Sequence, residues 1–315
     1  MTSRVKMAES ALQRAVAYPH VSYNPQLLAR VGERRSLKDI DPRIFPENGG
    51  PVQGDVVEFH GVEGSGKTET LYHLMSRCLL PVPSGGLGVD VVFVDTDYHF
   101  DMLRLVAVLE ARVSGAGHER EAQDEEEVAE VVVRSCLRRL SVVHCSSSTQ
   151  LLLTLHYLEG SISARPDLSL LVVDSISAFY WVDRSSGGDS LARQEANLRK
   201  SVELLNRLRR DYGIVVFATT HAIMRNYASA SSSAAGGSTN ASDWRPGAGV
   251  TDFDKPYLCR IWQRALTHRL LFSKSEQSSV VVGEQQVFSV ACTTIRTKGV
   301  KRCAFHVTEG GVVFL

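Results

Sequence analysis

The sequence predicts an α/β fold in which a mostly parallel sheet is covered by helices on both faces. Apolar, β-branched runs such as DVVEFHG, VDVVFVDTD and LSLLVVDS alternate with amphipathic helical segments. A strand, a helix and a strand in succession are typical of a parallel pair, and repetition of this unit gives a doubly wound sheet. A chain of 315 residues, 43% of them hydrophobic, can bury one large core of this kind.

The elements follow one another from residue 54 onward. We predict strand DVVEFHG, helix TETLYHLMSRCLL, strand VDVVFVDTD and helix FDMLRLVAVLEARV. The alternation continues with strand RRLSVVHC, helix STQLLLTLHYLEGSI, strand LSLLVVDS, one long helix DSLARQEANLRKSVELLNRLRRDY and strand GIVVFATTH. The segments WQRALTHRLLFSKSEQ, VFSVACTTIRT and CAFHVTEGGVVFL predict three antiparallel strands that close the sheet, with EGG in the last turn.

The change in composition along the chain predicts one main domain. Residues 1–50 are polar, rich in proline and able to form at most one or two short helices, so we interpret them as a leader. Residues 51–315 then form the domain, within which 228–250 are too small and polar to bury anything and predict a mobile loop. The acidic segment 119–130 predicts a solvated helix face.

Charge and cysteine content exclude several classes of protein. Lys+Arg and Asp+Glu both total 35, so net charge does not indicate a nucleic-acid binder. The six cysteines show no regular spacing, which favours reduced thiols over a disulfide framework or a zinc site. The sequence has no apolar stretch long enough for a membrane span and no signal region, so we expect an intracellular protein, cytoplasmic or nuclear.

The stretch GVEGSGKT fits the phosphate-binding pattern G-x-x-x-x-G-K-[ST], between a predicted strand and a predicted helix. Glycines let backbone N–H groups point at phosphate oxygens, Lys67 brings a charge to the β and γ phosphates, and the Thr68 hydroxyl ligates Mg²⁺. We therefore predict a site for ATP and Mg²⁺. The predicted contacts are Gly61, Val62, Glu63, Gly64, Ser65, Gly66, Lys67, Thr68 and Glu69.

Two further carboxylates follow predicted strands. Asp174 ends the apolar run LLVVD, where a phosphate loop needs an acid to hold the water shell of its metal ion. Asp95 and Asp97 end VVFVDTD on one face of the strand, and we predict Asp97 as the base for the attacking water. For Asp174 and Asp97 the alternative is that each caps the following helix.

These motifs resemble, in order, those of the ATPase core of RecA-type recombinases. The similarity lies in GVEGSGKTETLYHL, VFVDTDYHFDMLRL, LLVVDSISAFYW, RQEANLRKSVELLNRL, GIVVFATTHAI and THRLLFSK, which span roughly residues 36–275. It implies a RecA-like ATPase domain in residues 51–315. Within the family, the chain is similar to the eukaryotic recombinase paralogues, which implies a nuclear accessory subunit in double-strand-break repair by homologous recombination. Such a subunit works with another paralogue and assists the recombinase filament.

The resemblance also identifies departures at positions that act on the nucleotide. Asp97 stands where active recombinases have a catalytic glutamate, and a loss of reach of about 1 Å can cost on the order of a hundredfold in rate. Thr220 stands where the family has a glutamine that senses the γ-phosphate. Asp101 replaces an arginine placed against the base, which leaves Arg104 as the nearest cation. We therefore expect nucleotide binding with weak or no hydrolysis.

The two DNA loops of the family map to Trp181–Ser190 and to the residues after Arg225. They carry few cations, namely Arg184 in the first loop and Arg225 and Arg245 in the second. Few phosphate contacts predict weak binding of single-stranded or branched DNA by this chain alone, with most contact made through the complex. We predict core positions for Tyr180 and Trp181, because they follow a buried strand. The alternative is that they and Trp244 stack on exposed bases.

Three interpretations remain open from the sequence. The first is the accessory subunit, which the substitutions and the lack of room in the leader for a helix-hairpin-helix domain favour. The second is an active DNA-dependent ATPase with strand-exchange capacity, which the complete loop and Asp174 favour. A small-molecule kinase is the third, and the scarcity of arginines in the flexible segment speaks against it. Apolar leader residues predict docking onto a partner or onto the chain's own sheet: Leu27, Leu28, Val31 and Leu37.

Overall fold

One nine-stranded sheet forms the centre of the structure, a computed structural model that describes residues 34–46, 50–115, 122–186, 188, 190–222, 258–274 and 286–315. The strands are β1 (Val56–Gly61), β2 (Asp90–Asp95), β3 (Leu140–His144), β4 (Leu168–Asp174), β5 (Val215–His221), β6 (His268–Lys274), β7 (Val287–Thr294), β8 (Val300–Thr308) and β9 (Gly311–Phe314). Their order in the sheet is β3-β2-β4-β5-β1-β6-β7-β8-β9.

The first six positions of this sheet are parallel. Strand β1 lies between β5 and β6, and Phe59 pairs with Thr219 on one side and with Leu270 on the other. The sequential neighbours β1 and β2 are separated by β4 and β5, as expected when crossover helices connect parallel strands. The predicted doubly wound α/β fold is confirmed, and the carboxyl ends of β1, β2, β4 and β5 meet at one edge.

The end of the chain extends the sheet with antiparallel strands. β7, β8 and β9 are antiparallel to their neighbours, as predicted, and the last turn lies at Glu309 and Gly310 within EGG. Strand β6, which we expected to be antiparallel, instead runs parallel to β1. The reason is that a helix precedes β6 and returns the chain to the starting edge before the strand begins.

Eight α-helices accompany the strands in the described residues. They are α1 (Lys67–Leu79), α2 (Met102–Ser114), α3 (Ala122–Leu137), α4 (Ser148–Ala164), α5 (Tyr180–Ser186), α6 (Leu191–Gln194), α7 (Ala196–Tyr212) and α8 (Arg260–Ala265). The predicted long helix is broken at Glu195, so that α6 and α7 are separate. Helix α3 covers most of the acidic segment, whose residues 119–121 lie outside the described chain.

Two apolar clusters cover the two faces of the sheet. One joins Phe59 and Phe217 to α1, α2 and α3. The other joins Val216 and Val173 to α4, α7 and α8. Because both faces are buried, the central strands read as continuous apolar runs without alternation.

The described part of the leader packs on this core. Leu37, Ile40 and Ile44 are at most 1% exposed and belong to the cluster around α1. Arg34, 4% exposed, donates to the carbonyl oxygens of Ile162 and Tyr212 at 2.6 Å each, at the carboxyl ends of α4 and α7. Leu37 therefore docks onto the chain's own core, while the predictions for Leu27, Leu28 and Val31 lie outside the described residues.

All six cysteines are free thiols, as predicted, and five of them are buried. In the part of the chain that the structure describes, no helix has the length and apolarity to cross a membrane. The predicted mobile loop, residues 228–250, lies outside the described residues.

Candidate nucleotide-binding site

The phosphate loop connects the end of β1 at Gly61 to the start of α1 at Lys67. Gly64 and Gly66 have φ angles of 64° and 92°, a region that favours glycine. A Cβ at Gly66 would lie 2.9 Å from the ring of Phe305, so the C-terminal strands pack directly against the loop. Glycine is therefore required both by the backbone and by the strands beneath it.

Lys67 is buried in the loop that it ends. Its Nζ donates to the carbonyl oxygens of Gly61 at 2.9 Å and Val62 at 2.8 Å, and the residue is 7% exposed. Burial lowers the pKa of Lys67 to about 8, against the opposing effect of nearby carboxylates. The hydroxyl of Ser65 is also buried and has no hydrogen-bond partner among the described residues. A confined amine, an unpartnered hydroxyl and a helix N-terminus together fit a phosphate group.

Asp174 lies beside the phosphate loop at the carboxyl end of β4. The Thr68 hydroxyl donates to its Oδ2 at 3.3 Å, and the Thr219 hydroxyl donates to its Oδ1. Burial raises the pKa of Asp174, and the hydrogen bond from Thr219 opposes the shift. The next helix begins only at Tyr180, which disfavours the alternative of a helix cap. A hydroxyl beside a carboxylate is a donor set that suits Mg²⁺ and its water ligands.

Asp97 is paired with a histidine. The Nε2 of His221, at the end of β5, lies 3.1 Å from Asp97 Oδ2. Burial by itself would raise the pKa of Asp97, but hydrogen bonds from His221 and Ser175 hold it below its usual value. The capping alternative is disfavoured, because the cap of α2 is Asp101 and the turn before it is held by Asp95. Asp97 is thus an ionised carboxylate that contacts the imidazole ring of His221.

The structure contradicts the predicted position of Thr220. Its hydroxyl lies 2.8 Å from His60 Nδ1 and the residue is fully buried, on the face of β5 that α4, α7 and α8 cover. Thr219 and His221 point to the opposite face, toward Asp174 and Asp97. Both faces of β5 are buried, so the sequence shows no alternation that would reveal which residue faces the site. His221, and not Thr220, lies beside the phosphate loop's carboxylates.

Arg104 and Glu69 form a pair with each other. The Arg104 guanidinium lies 3.0 Å (Nε) and 2.8 Å (Nη2) from the two carboxylate oxygens of Glu69, and it also donates to the carbonyl of Thr308 at 2.7 Å. These contacts join α1, α2 and the last hairpin at the rim of the site. The guanidinium of Arg104 is therefore already hydrogen-bonded to protein groups at the rim of the site.

Lys274 is a second lysine at the phosphate loop. It ends β6, and its Nζ lies 3.2 Å from the point where a Cβ of Gly64 would stand. The sequence carried no signal for it, because only the parallel pairing of β6 with β1 brings the end of THRLLFSK to the loop. Lys274 lies at the carboxyl end of a strand adjacent to β1, where residues of parallel sheets meet the ligand.

The first family loop is partly described. Trp181 is 57% exposed, so the prediction of a core position was wrong for it, while Tyr180 is half-buried. The Arg184 guanidinium lies 5.8 Å from the ring of Tyr180 and 5.9 Å from that of Trp181. This contact keeps the one cation of the loop on its own aromatic residues. The predicted residues Arg225, Trp244 and Arg245 lie outside the described chain.

Comparison with known proteins places the chain among recombinases and their relatives. The sequence model of the Rad51 family matches residues 43–312. The chain is 46% identical over 289 residues to the DNA repair protein XRCC2 of Mus musculus, covering 92% of this chain and 95% of that protein. It is 30% identical over 309 residues to the DNA repair protein XRCC2 homolog of Arabidopsis thaliana, covering 84% and 80%. To the DNA repair protein RAD51 of Mycosarcoma maydis it is 31% identical over 175 residues, covering 56% and 46%.

These matches confirm the resemblance to recombinases that the motifs indicated, and they span the phosphate loop, Asp174 and the C-terminal strands alike. The mostly parallel α/β sheet with antiparallel C-terminal strands agrees with a domain of this family. The chain belongs to the Rad51 family.

Proposed function

We propose that the chain is an accessory recombinase paralogue that acts in the nucleus, in the repair of DNA double-strand breaks by homologous recombination. It works in a heteromeric complex with another paralogue and assists the recombinase filament, and single-stranded or branched DNA is contacted through that complex. The proposal is supported by the similarity to two proteins named for DNA repair and by the family fold, which implies nucleotide binding. We also propose residues 51–315 as its ATPase-type domain, with residues 34–46 packed on it.

The nucleotide is ATP, bound with Mg²⁺. The backbone from Gly61 to Thr68 would hold the phosphates, with Lys67 as the cation that leaves its two carbonyl partners for the β and γ phosphates. Thr68 and Asp174 would hold the metal, which neutralises phosphate charge when it is bound. The loop is complete in every residue that such binding needs, and the buried Ser65 hydroxyl awaits an acceptor or donor.

Hydrolysis is weak or absent, and one observation carries this conclusion. The candidate base Asp97 is already bonded to His221, and its pKa lies below the usual value. A weaker base accepts a proton from water less readily, and the short side chain adds a deficit in reach. Nucleotide binding then serves folding or assembly more than turnover. The alternative, an active DNA-dependent ATPase with strand-exchange capacity, has the complete phosphate loop in its favour.

ATP binding and turnover by the purified chain, with and without single-stranded DNA, distinguish the two. A Lys67→Ala variant is the control for the nucleotide site. Binding with negligible turnover, lost in the control, is the expected result. Turnover on the order of once per second, stimulated by DNA, would establish the alternative and overturn the proposal.

Partner capture is tested separately with a truncated chain. A deletion should end at residue 33, because Leu37, Ile40 and Ile44 belong to the folded core. If the leader docks on a sister paralogue, loss of residues 1–33 will reduce capture while the core still unfolds cooperatively. Unchanged capture would move the interface elsewhere on the chain.

A further inference from the structure

Helix α7 is divided into an apolar and a basic side. Val202, Leu205 and Leu208 are buried against the sheet between α4 and α8. Over its whole length the helix carries five cations and two acids, Glu203 and Asp211. The cations are Arg199, Lys200, Arg207, Arg209 and Arg210. The helix thus turns an excess of positive charge away from the core, although the chain as a whole has no net charge.

Two open clefts lie along this helix. The cleft between α7 and α8 is about 340 Å³ in volume, and three arginines border it: Arg209, Arg210 and Arg264. The cleft between α4 and α7 is about 370 Å³, and its basic residues are His156, Lys200, Arg207 and Arg210. Arg210 borders both clefts, and Glu203 is the acid common to them. We call Lys200, Arg207, Arg209, Arg210 and Arg264 the basic ridge.

Protein groups neutralise only part of the basic ridge. Arg207 pairs with Glu159 of α4. Arg209 donates to the Gly54 carbonyl at 2.9 Å, and burial together with the charges of Arg210 and Arg296 lowers its pKa. Lys200 and Arg264 form no ion pair with any residue that the structure describes. Duplex DNA carries a condensed layer of cations, and a cluster of protein cations that neutralises its phosphates gains affinity by releasing that layer.

The shape of the basic ridge favours an extended polyanion over a small ion. Lys200 and Arg210 are ten residues apart, about 15 Å along the helix, and a DNA duplex carries roughly nine phosphate charges over that length. The clefts are open, so a single small anion would remain largely hydrated there. Arginine forks suit phosphate oxygens in bidentate contacts. The described family loop supplies no comparable charge, since Arg184 lies on its own aromatic residues.

We propose that the basic ridge binds the phosphate backbone of duplex DNA. The surface lies on the opposite face of the sheet from α1, the helix that follows the phosphate loop, and its residues belong to neither family DNA loop. The inference rests on the proposed function, since a subunit in break repair meets duplex DNA beside the single strand. The contacts are made to phosphates only and carry no preference for base sequence.

The test measures duplex binding by the full-length chain as a function of salt. Fluorescence anisotropy of a labelled 20-base-pair duplex is recorded from 50 to 200 mM NaCl for the wild type and for the double variant Arg210→Ala/Arg264→Ala. The matched control is Arg134→Ala/Arg138→Ala, which removes the same charge at the end of α3 on the other face. The ridge variant should lose about two units of the slope of log affinity against log salt, and more than about tenfold in affinity at 50 mM.

The outcomes separate the basic ridge from the proposed function. Equal slopes for the two double variants, or no duplex binding by the wild type, would overturn the ridge proposal. So would a ridge variant that keeps its DNA affinity but loses binding to a polyglutamate peptide, which would indicate an acidic protein partner. Loss of DNA binding with unchanged ATP binding supports the ridge. Failure of ATP binding and paralogue capture would instead defeat the proposed function and leave a positive duplex result standing.

Discussion

Lys67 should make the affinity for ATP depend on pH. In the free protein its amine is buried between the carbonyls of Gly61 and Val62, and burial lowers its pKa to about 8. Phosphates placed beside the amine favour its charged form and return the pKa toward or above the ordinary value. ATP therefore binds the protonated form more tightly. Its affinity is highest below pH 8 and decreases as the pH rises above that value.

The size of the effect follows from the two pKa values. With a pKa of about 8, roughly nine-tenths of the free protein carries protonated Lys67 at pH 7, and about one-thirtieth does so at pH 9.5. Binding at the higher pH must also take up a proton. The affinity is expected to fall about thirtyfold over this interval, which corresponds to about 2 kcal/mol.

Titration of a fluorescent ATP analogue at several pH values measures this change. Lys67→Arg is the matched control, because a guanidinium stays protonated throughout the range and its affinity should stay nearly constant. Circular dichroism at each pH shows that the chain remains folded. A wild-type affinity that is flat from pH 7 to 9.5, or an equal fall in the arginine variant, would refute the argument.

Three further predictions concern buried groups. Glu58→Gln should lower the free energy of unfolding by about 3 kcal/mol, measured by chemical denaturation. The Glu58 carboxylate lies 2.5 Å from the guanidinium of Arg269, which loses its charge partner in the variant. Thr220→Val should cost about 1 to 2 kcal/mol through the lost contact with His60 and leave ATP affinity unchanged; a changed affinity in the nucleotide titration would contradict its placement on the far face. Arg34→Ala should lower stability by about 3 kcal/mol or more in the same denaturation assay, since carbonyl oxygens at the ends of α4 and α7 lose a charged donor; a loss under 1 kcal/mol would show that water replaces the arginine without penalty.

The phosphate loop and Asp174 were accessible from the sequence because their chemistry is local. A phosphate-binding turn needs glycines, a lysine and a hydroxyl in consecutive positions, and the flanking periodicity identifies the strand and the helix. Asp174 follows four apolar residues at the end of a buried strand, and parallel pairing brings such ends to one edge. The contact between Thr68 and Asp174 is the result of these two local patterns.

The placement of Thr220 failed for a physical reason. In a strand that is buried on both faces, apolar and polar residues do not alternate, so the sequence cannot tell which side chain points to α1 and which to α7. The contact expected of Thr220 with the site is made by its neighbour His221, on the opposite face of β5. The pairing of His221 with Asp97 joins the end of β5 to the turn after β2, 124 residues apart in the chain, and no local pattern encodes it.

The sequence by itself determined the fold class, the phosphate loop and the family, because each rests on local periodicity or on a short motif. Only the tertiary structure decided that Leu37 and Arg34 belong to the core, that Lys274 reaches the loop and that the cations of α7 stand together with Arg264 beside open clefts. These features arise where strands and helices distant in sequence pack side by side. Burial and the interaction of charges between packed elements stabilise these contacts, and a linear pattern of residues does not record which surfaces meet.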